Sequence, residues 1–173
     1  MAIVYLCGLP GSGKSTIGAM LAKLRGQPFI DLDKMIVERA GMDIPAIFRS
    51  LGEPKFRDFE NISLVQAASR GESVIALGGG ALERKDNRDV ILASGILIWL
   101  QAPISLLAAR TLNQSDRPLL DPDDTLLERV DRLRALAEQR HEQFELAALT
   151  FPTTDEDPMQ TVLTIHEAID GLV

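Results

Sequence analysis

The residues best suited to chemistry stand close to the N-terminus. Gly8-Leu9-Pro10-Gly11-Ser12-Gly13-Lys14-Ser15 fits the pattern G-x-x-x-x-G-K-[ST] in full. Glycines at these positions let the backbone wrap around phosphates with its N–H groups pointing inward. A helix opening behind the loop adds its dipole to the attraction for an anion. Lys14 can reach the β- and γ-phosphates as a point charge, and the Ser15 hydroxyl suits Mg²⁺. The competing explanation is a glycine-rich turn that fits by accident. The apolar run before the loop and the helical pattern after it weigh against that. The loop specifies nucleotide binding and leaves the fate of the phosphate open.

A second candidate pair is Asp31 and Asp33 in Phe29-Ile30-Asp31-Leu32-Asp33. If this short strand lies beside or near the first, its carboxyl end faces the phosphate loop, where ligands bind in open parallel sheets. Two carboxylates at i, i+2 can project from one turn into the same cleft. One can order Mg²⁺ and the other can accept a hydrogen bond from a substrate hydroxyl. The plainer alternative makes one of them an N-cap. No Asn-Lys-x-Asp guanine-reading motif is present, and the third strand ends in Leu77-Gly78-Gly79-Gly80 without an acid. Both facts disfavour a regulatory GTPase or a motor ATPase and point to a kinase.

These groups need a scaffold. Continuous apolar runs at 2–7, 28–30, 74–77, 95–100 and 149–151 predict strands buried on both faces. Helical patterns at 14–25, 33–40, 44–51, 55–69, 86–93, 104–112, 124–145 and 158–170 separate them. Such alternation predicts a three-layer α/β/α fold around a five-stranded parallel sheet, formed as a single domain over residues 1–173. Residues 113–124, rich in Asp, Pro and Ser, are long enough to form a lid. A second loop spans 153–158. With 25 acidic against 18 basic residues and a formal charge of −7, the chain is a poor candidate for a general nucleic-acid or anionic-membrane binder. Cys7 is the single cysteine, and neither it nor His141 or His166 makes a zinc-ligand cluster. No run has the length of a membrane span, and the N-terminus lacks a basic leader. A soluble, cytoplasmic monomer is the expectation.

The chain resembles the shikimate kinase family. The resemblance rests on Gly8 to Thr16, Asp31-x-Asp33, Gly41-x-x-Ile44-x-x-Ile47-Phe48 and Gly52-Glu53-x-x-Phe56-Arg57-x-x-Glu60. It continues through Gly78-Gly79-Gly80, Arg110, Arg117-Pro118-Leu119-Leu120 and Arg140. It implies transfer of the γ-phosphoryl of MgATP to shikimate, in aromatic amino-acid biosynthesis, with Mg²⁺ as the only cofactor. It implies that the P-loop kinase core carries added acid-binding helices over 33–69 and a lid over 113–124. Asp33 would bind the substrate hydroxyls and serve as base. Arg57 and Arg140 would hold the substrate carboxylate, and Gly79 would offer its backbone to the ring. Gly11, Ser12, Gly13, Lys14, Ser15 and Thr16 would bind ATP. Lys14 and Arg117 would stabilise the transferring phosphoryl, Ser15 and Asp31 would organise Mg²⁺, and Arg110 and Pro158 would flank adenine.

Guanidinium groups suit such a site because they grip carboxylates with two N–H bonds. Each role has a plainer competitor. Arg57 could only pair with Glu60 at i, i+3, and Arg140 could be a solvated charge like its neighbours Arg129, Arg132 and Arg134, most of which should be surface. The triple glycine could be only a tight turn, and Arg110 could cap a helix. Phe144 stands where the family often has tyrosine, and Asp155, Glu156 and Asp157 make the second loop acidic where relatives often are basic. Rival functions are another small-molecule kinase, acting on gluconate or a nucleoside monophosphate, and a non-catalytic nucleotide-binding regulator.

Overall fold

The computed structural model describes residues 3–112 and 120–172. Five parallel strands form one sheet: β1 (Ile3–Cys7), β2 (Phe29–Asp31), β3 (Val74–Ala76), β4 (Gly95–Gln101) and β5 (Leu149–Pro152), in the order β2-β3-β1-β4-β5. Helices α1 (Lys14–Arg25), α2 (Leu32–Ala40), α3 (Ile44–Ala68), α4 (Lys85–Ser94), α5 (Ile104–Thr111), α6 (Leu126–Phe144) and α7 (Pro158–Asp170) make the connections. No described helix is long and apolar enough to cross a membrane.

The period of two along a strand divides the core. Val4 and Leu6 of β1 point into a cluster with Ile17 and Leu21 of α1 and Ile165 of α7. Ile3, Tyr5 and Cys7 point the other way, into a cluster with Ile36 of α2, Leu64 of α3 and Leu133 of α6. Both faces of the central strand are therefore covered, which is why its sequence reads as an unbroken apolar run. Burial also explains Cys7, whose thiol pKa is pushed up to about 12.

Two helical patterns expected to be separate, 44–51 and 55–69, run on as α3. They are divided at Gly52, whose φ of 81° and ψ of 164° leave the helical region, with Pro54 starting the second part. The break lets the second part turn Phe56, Glu60 and Leu64 inward.

Of Arg129, Arg132 and Arg134, most of which are expected at the surface, Arg129 is the exception. Arg132 and Arg134 are 49% and 59% exposed at their side chains, whereas Arg129 is fully buried. Its Nη1 donates to the carbonyl of Thr111 at 2.7 Å and its Nη2 to the carbonyl of Asp121. Its Nε lies 3.3 Å from Asp124 Oδ2, an ionic contact without hydrogen-bond alignment. Asp124 also accepts from Arg132 Nε at 2.9 Å. One guanidinium thus ties the end of α5 to the approach to α6, which itself starts at a capping box of Thr125 and Glu128. Removing one partner of a buried charge pair leaves the other uncompensated, so Arg129→Met should lose about 3–5 kcal/mol of unfolding free energy. Urea denaturation measures this, and a loss below about 1 kcal/mol would show that Arg129 is not the anchor.

Candidate active site

The phosphate loop leaves the carboxyl end of the central strand and enters α1. Gly8, Gly11 and Gly13 take φ values of 142°, 81° and 92°, which side chains would resist, so the loop can curl as its motif requires. Lys14 Nζ donates to the carbonyls of Gly8 at 2.8 Å and Leu9 at 3.0 Å, which holds the ammonium over the loop. Ser15 Oγ donates to Asp31 Oδ2 at 2.7 Å. The other oxygen of Asp31, Oδ1, accepts from the N–H groups of Asp33 at 3.1 Å and Lys34 at 3.4 Å and so caps α2. The N-cap alternative weighed for Asp31 is therefore present on one oxygen, while the other accepts from the Ser15 hydroxyl. A hydroxyl beside a carboxylate is a hard-oxygen pair of the kind Mg²⁺ takes alongside water and phosphate.

The loop floors a cavity of about 470 Å³. Gly11 to Ile17 line one side, with Asp31 and Asp33, and Thr153 to Glu156 with Pro158 close another. Arg110 joins the two sides. Its Nη1 donates to the Gly11 carbonyl at 3.1 Å and its Nη2 to the Thr154 carbonyl, with Asp155 Oδ1 at 3.5 Å. It is thus a cross-brace at this cavity, with acceptors outside its own helix.

The triple glycine follows β3, and its purpose is space. None of the three takes a positive φ. A Cβ on Gly78 would lie 2.8 Å from Asp33 Oδ1 and 3.0 Å from Glu60 Oε1. On Gly79 it would lie 3.0 Å from Arg140 Nη1, and on Gly80 2.5 Å from Arg57 Nη2. Each missing side chain makes room for a particular charged group.

Those groups form one network. Arg57 Nη1 donates to Glu60 Oε2 at 3.0 Å, its Nε and Nη2 to Glu53 Oε1 at 3.3 and 3.0 Å, and its Nη2 also to Glu83 Oε2 at 3.2 Å. Arg140 Nε donates to Glu83 Oε1 at 2.9 Å. Arg140 is buried, 3% exposed at its side chain, unlike a solvated helix charge. The Arg57–Glu60 pair anticipated at i, i+3 is present, but as one part of this wider set. Burial works against the charge on Arg57, and the carboxylates of Glu60, Glu83 and Glu53 more than offset it, raising its pKa. Burial pushes Glu60 up to about 7; Arg57 pulls it down, and Asp33 and Glu83 add to the rise. Phe144, buried on the same helix as Arg140, packs on Trp99 at 5.3 Å between ring centroids.

The structure brings Lys14, Ser15, Asp31, Asp33 and Arg110 to the cavity over the phosphate loop, with Gly11, Ser12, Gly13 and Thr16 in its lining. It brings Arg57, Arg140, Gly79 and Glu60 together beside it. Arg117 and most of the expected lid lie outside the described residues. Sequence reasoning missed Glu83 and Arg129. Glu83 sits in a turn among other charged residues, with no spacing to single it out. The buried Arg129 could have been suspected only from its place near the start of a capped helix.

A sheet ordered 2-3-1-4-5 with a Gly-x-x-x-x-Gly-Lys-Ser loop leaving its central strand defines a P-loop nucleotide-binding fold. The family model for shikimate kinase matches residues 10–170. A shikimate kinase of Salinibacter ruber is 42% identical over 149 residues, covering 83% of this chain and 73% of its own. One of Chlorobium luteolum is 36% identical over 176 residues, covering 99% and 87%. Among solved structures, shikimate kinase from Acinetobacter baumannii in complex with shikimate superposes with a TM-score of 0.93 at 34% identity, covering 99% of this chain and 94% of that one. The chain belongs to the shikimate kinase family and is an ATP-dependent phosphotransferase.

The raised pKa of Glu60 has a thermodynamic consequence. Its ordinary value is 4.5 and its value in the fold about 7, so between those pH values the folded chain binds more protons here than the unfolded one. The contribution of Glu60 to stability therefore falls as pH rises through that window and levels off above it. Glu60→Gln removes the titration. The unfolding free energy of the variant should gain on that of the wild type between pH 5 and pH 8, and an equal difference at both pH values would sink the assignment.

Proposed function

We propose that the chain transfers the γ-phosphoryl of MgATP to the 3-hydroxyl of shikimate, giving shikimate 3-phosphate and ADP. The observation that carries this reading is the place of Asp33. It lines the nucleotide cavity with Lys14 and Ser15, and it also borders Gly78 beside Glu60, within the network that holds Arg57 and Arg140. A hydroxyl presented to Asp33 would stand between a phosphate site and a carboxylate site. Shikimate is a polyol acid with both groups, and the Acinetobacter baumannii relative is described in complex with it.

Arg57 and Arg140 hold the carboxylate of the acid, and the bare backbone at Gly79 lets the ring come close. Asp33 takes the proton of the hydroxyl as its oxygen bonds to the γ-phosphorus. The bond from that phosphorus to the bridging oxygen breaks, and ADP leaves. Lys14 and the inward N–H groups of the loop neutralise the charge that develops on the transferring group. Arg117 joins Lys14 in this reading from its place in the sequence. Ser15 and Asp31 would hold Mg²⁺, which supplies further neutralisation of phosphate charge. Arg110 and Pro158 flank the base. Catalysis of this kind is positioning and electrostatics.

ADP release from the purified chain with MgATP should depend on shikimate, with gluconate and AMP inactive, and should be lost in Lys14→Ala. A response to another acceptor instead would overturn the substrate, and no response to any would favour a nucleotide-binding regulator. Asp33→Asn should nearly abolish turnover with ATP binding retained. Arg57→Ala should weaken acid binding by about 1.5–3 kcal/mol, the range for a hydrogen bond to a charged group. An effect on ATP affinity alone would remove Arg57 from the carboxylate site.

A further inference from the structure

The donors of Arg57 are almost fully used. A guanidinium has five N–H groups. Glu53 takes the one on Nε and one on Nη2, Glu83 takes the other on Nη2, and Glu60 takes one on Nη1. A single N–H on Nη1 is left by this count. A two-pronged grip on an incoming carboxylate needs two neighbouring donors. For Arg57 to grip in that way, one of its resident carboxylates gives way.

The three differ in their freedom to do so. Glu60 is 1% exposed at its side chain and has no water to move into. Glu53 is the most open of the three, 51% exposed, but it bonds Nε and Nη2 together from one turn away on the same helix and touches Arg57 alone of the two arginines, so its departure clears no place between them. Glu83 makes one bond to Arg57 and one to Arg140, from a turn rather than a helix, and its side chain is 28% exposed. Its carboxylate lies between the two guanidinium groups, one oxygen on each. This is the position that a carboxylate shared by Arg57 and Arg140 requires. The charges agree, since Glu53, Glu60 and Glu83 already face Arg57 and Arg140, and a further anion beside Glu83 meets repulsion.

We propose that Glu83 competes with the substrate carboxylate for Arg57 and Arg140, and so sets the affinity of the acid site and its preference for an acid over a neutral analogue. This rests on the carboxylate reading of those two arginines given above. Binding is then an exchange: the Glu83 carboxylate swings to solvent as that of the substrate arrives. The alternative is that Glu83 positions the arginines for the substrate, and it predicts the opposite change on removal.

The test measures the dissociation constants of shikimate and of its carboxamide by calorimetry with the full chain, for wild type, Glu83→Gln, Glu83→Ala and Arg57→Ala. Competition predicts shikimate binding about two- to fivefold tighter in both Glu83 variants, the range that partly exposed ion pairs are worth. The acid-to-amide preference should rise with it, because the amide cannot profit equally from freed guanidinium donors. Weaker or unchanged shikimate binding in Glu83→Gln, which keeps the shape of the side chain, overturns the proposal. Arg57→Ala separates the two levels: if it leaves shikimate affinity unchanged, the carboxylate reading itself fails, whatever the Glu83 variants do.

Discussion

Two guanidinium groups, those of Arg57 and Arg140, share the Glu83 carboxylate beside the phosphate-loop cavity, and nearly every local feature around them answers that constraint. Like charges repel, so each arginine needs its own carboxylates: Glu53, Glu60 and Glu83 for Arg57, and Glu83 again for Arg140. The groups also need space at the end of a strand, where side chains would ordinarily fill it. The three glycines after β3 supply that space, and the close distances from their absent Cβ atoms to Asp33, Glu60, Arg140 and Arg57 show how fully it is used. Glu60 is the consequence furthest from solvent. It is buried to hold Arg57 in place, and burial next to Asp33 and Glu83 pushes its pKa up toward neutrality.

The phosphate end is organised differently, through backbone more than through side-chain charge. Positive φ at Gly8, Gly11 and Gly13 shapes the loop, and Lys14 is held by loop carbonyls. Asp31 connects this end to the rest. One oxygen fixes the start of α2, and so the orientation of Asp33 two residues on, while the other accepts from Ser15 at the start of α1. A single carboxylate thereby sets the placement of two helices relative to the loop.

What could be read in the sequence divides along the same line. Features set by local chemistry were legible: the loop, the β1–α1 junction, the apolar strands, and the Arg57–Glu60 spacing. Features set by long-range packing were not. The strand order places β3 between β1 and β2, so Asp31 reaches Ser15 across an intervening strand. Nothing in a run of apolar residues specifies that neighbour. The triple glycine was visible as a motif, but the charged groups it admits come from α2, α3 and α6, and only the folded chain brings them there. Arg129 and Arg132 are three residues apart on α6, yet one is buried and the other half exposed, because the carbonyls that Arg129 satisfies come from Thr111 and Asp121 outside the helix. The role of Arg117 rests on sequence alone, since it lies outside the described residues.

For the two anionic substrates proposed above, a chain of formal charge −7 needs local cations that are not already neutralised beyond use. The exposure of their partners shows how this is arranged. Two of the carboxylates that fix arginines in the fold are buried, Glu60 at 1% and Asp124 at 4%, whereas Glu53 on Arg57 is 51% exposed. The carboxylates at the two candidate ligand sites are open too: Glu83 at 28% beside Arg57 and Arg140, and Asp155 at 81% beside Arg110. A buried partner cannot leave without an unpaired charge remaining in a low-dielectric interior, so it behaves as structure. An open partner can exchange its arginine for water at little net change in free energy. In the exchange proposed for Glu83, anion binding replaces one carboxylate with another. Its free energy is the difference between two similar interactions, which favours moderate affinity and ready release of product from an enzyme that must turn over.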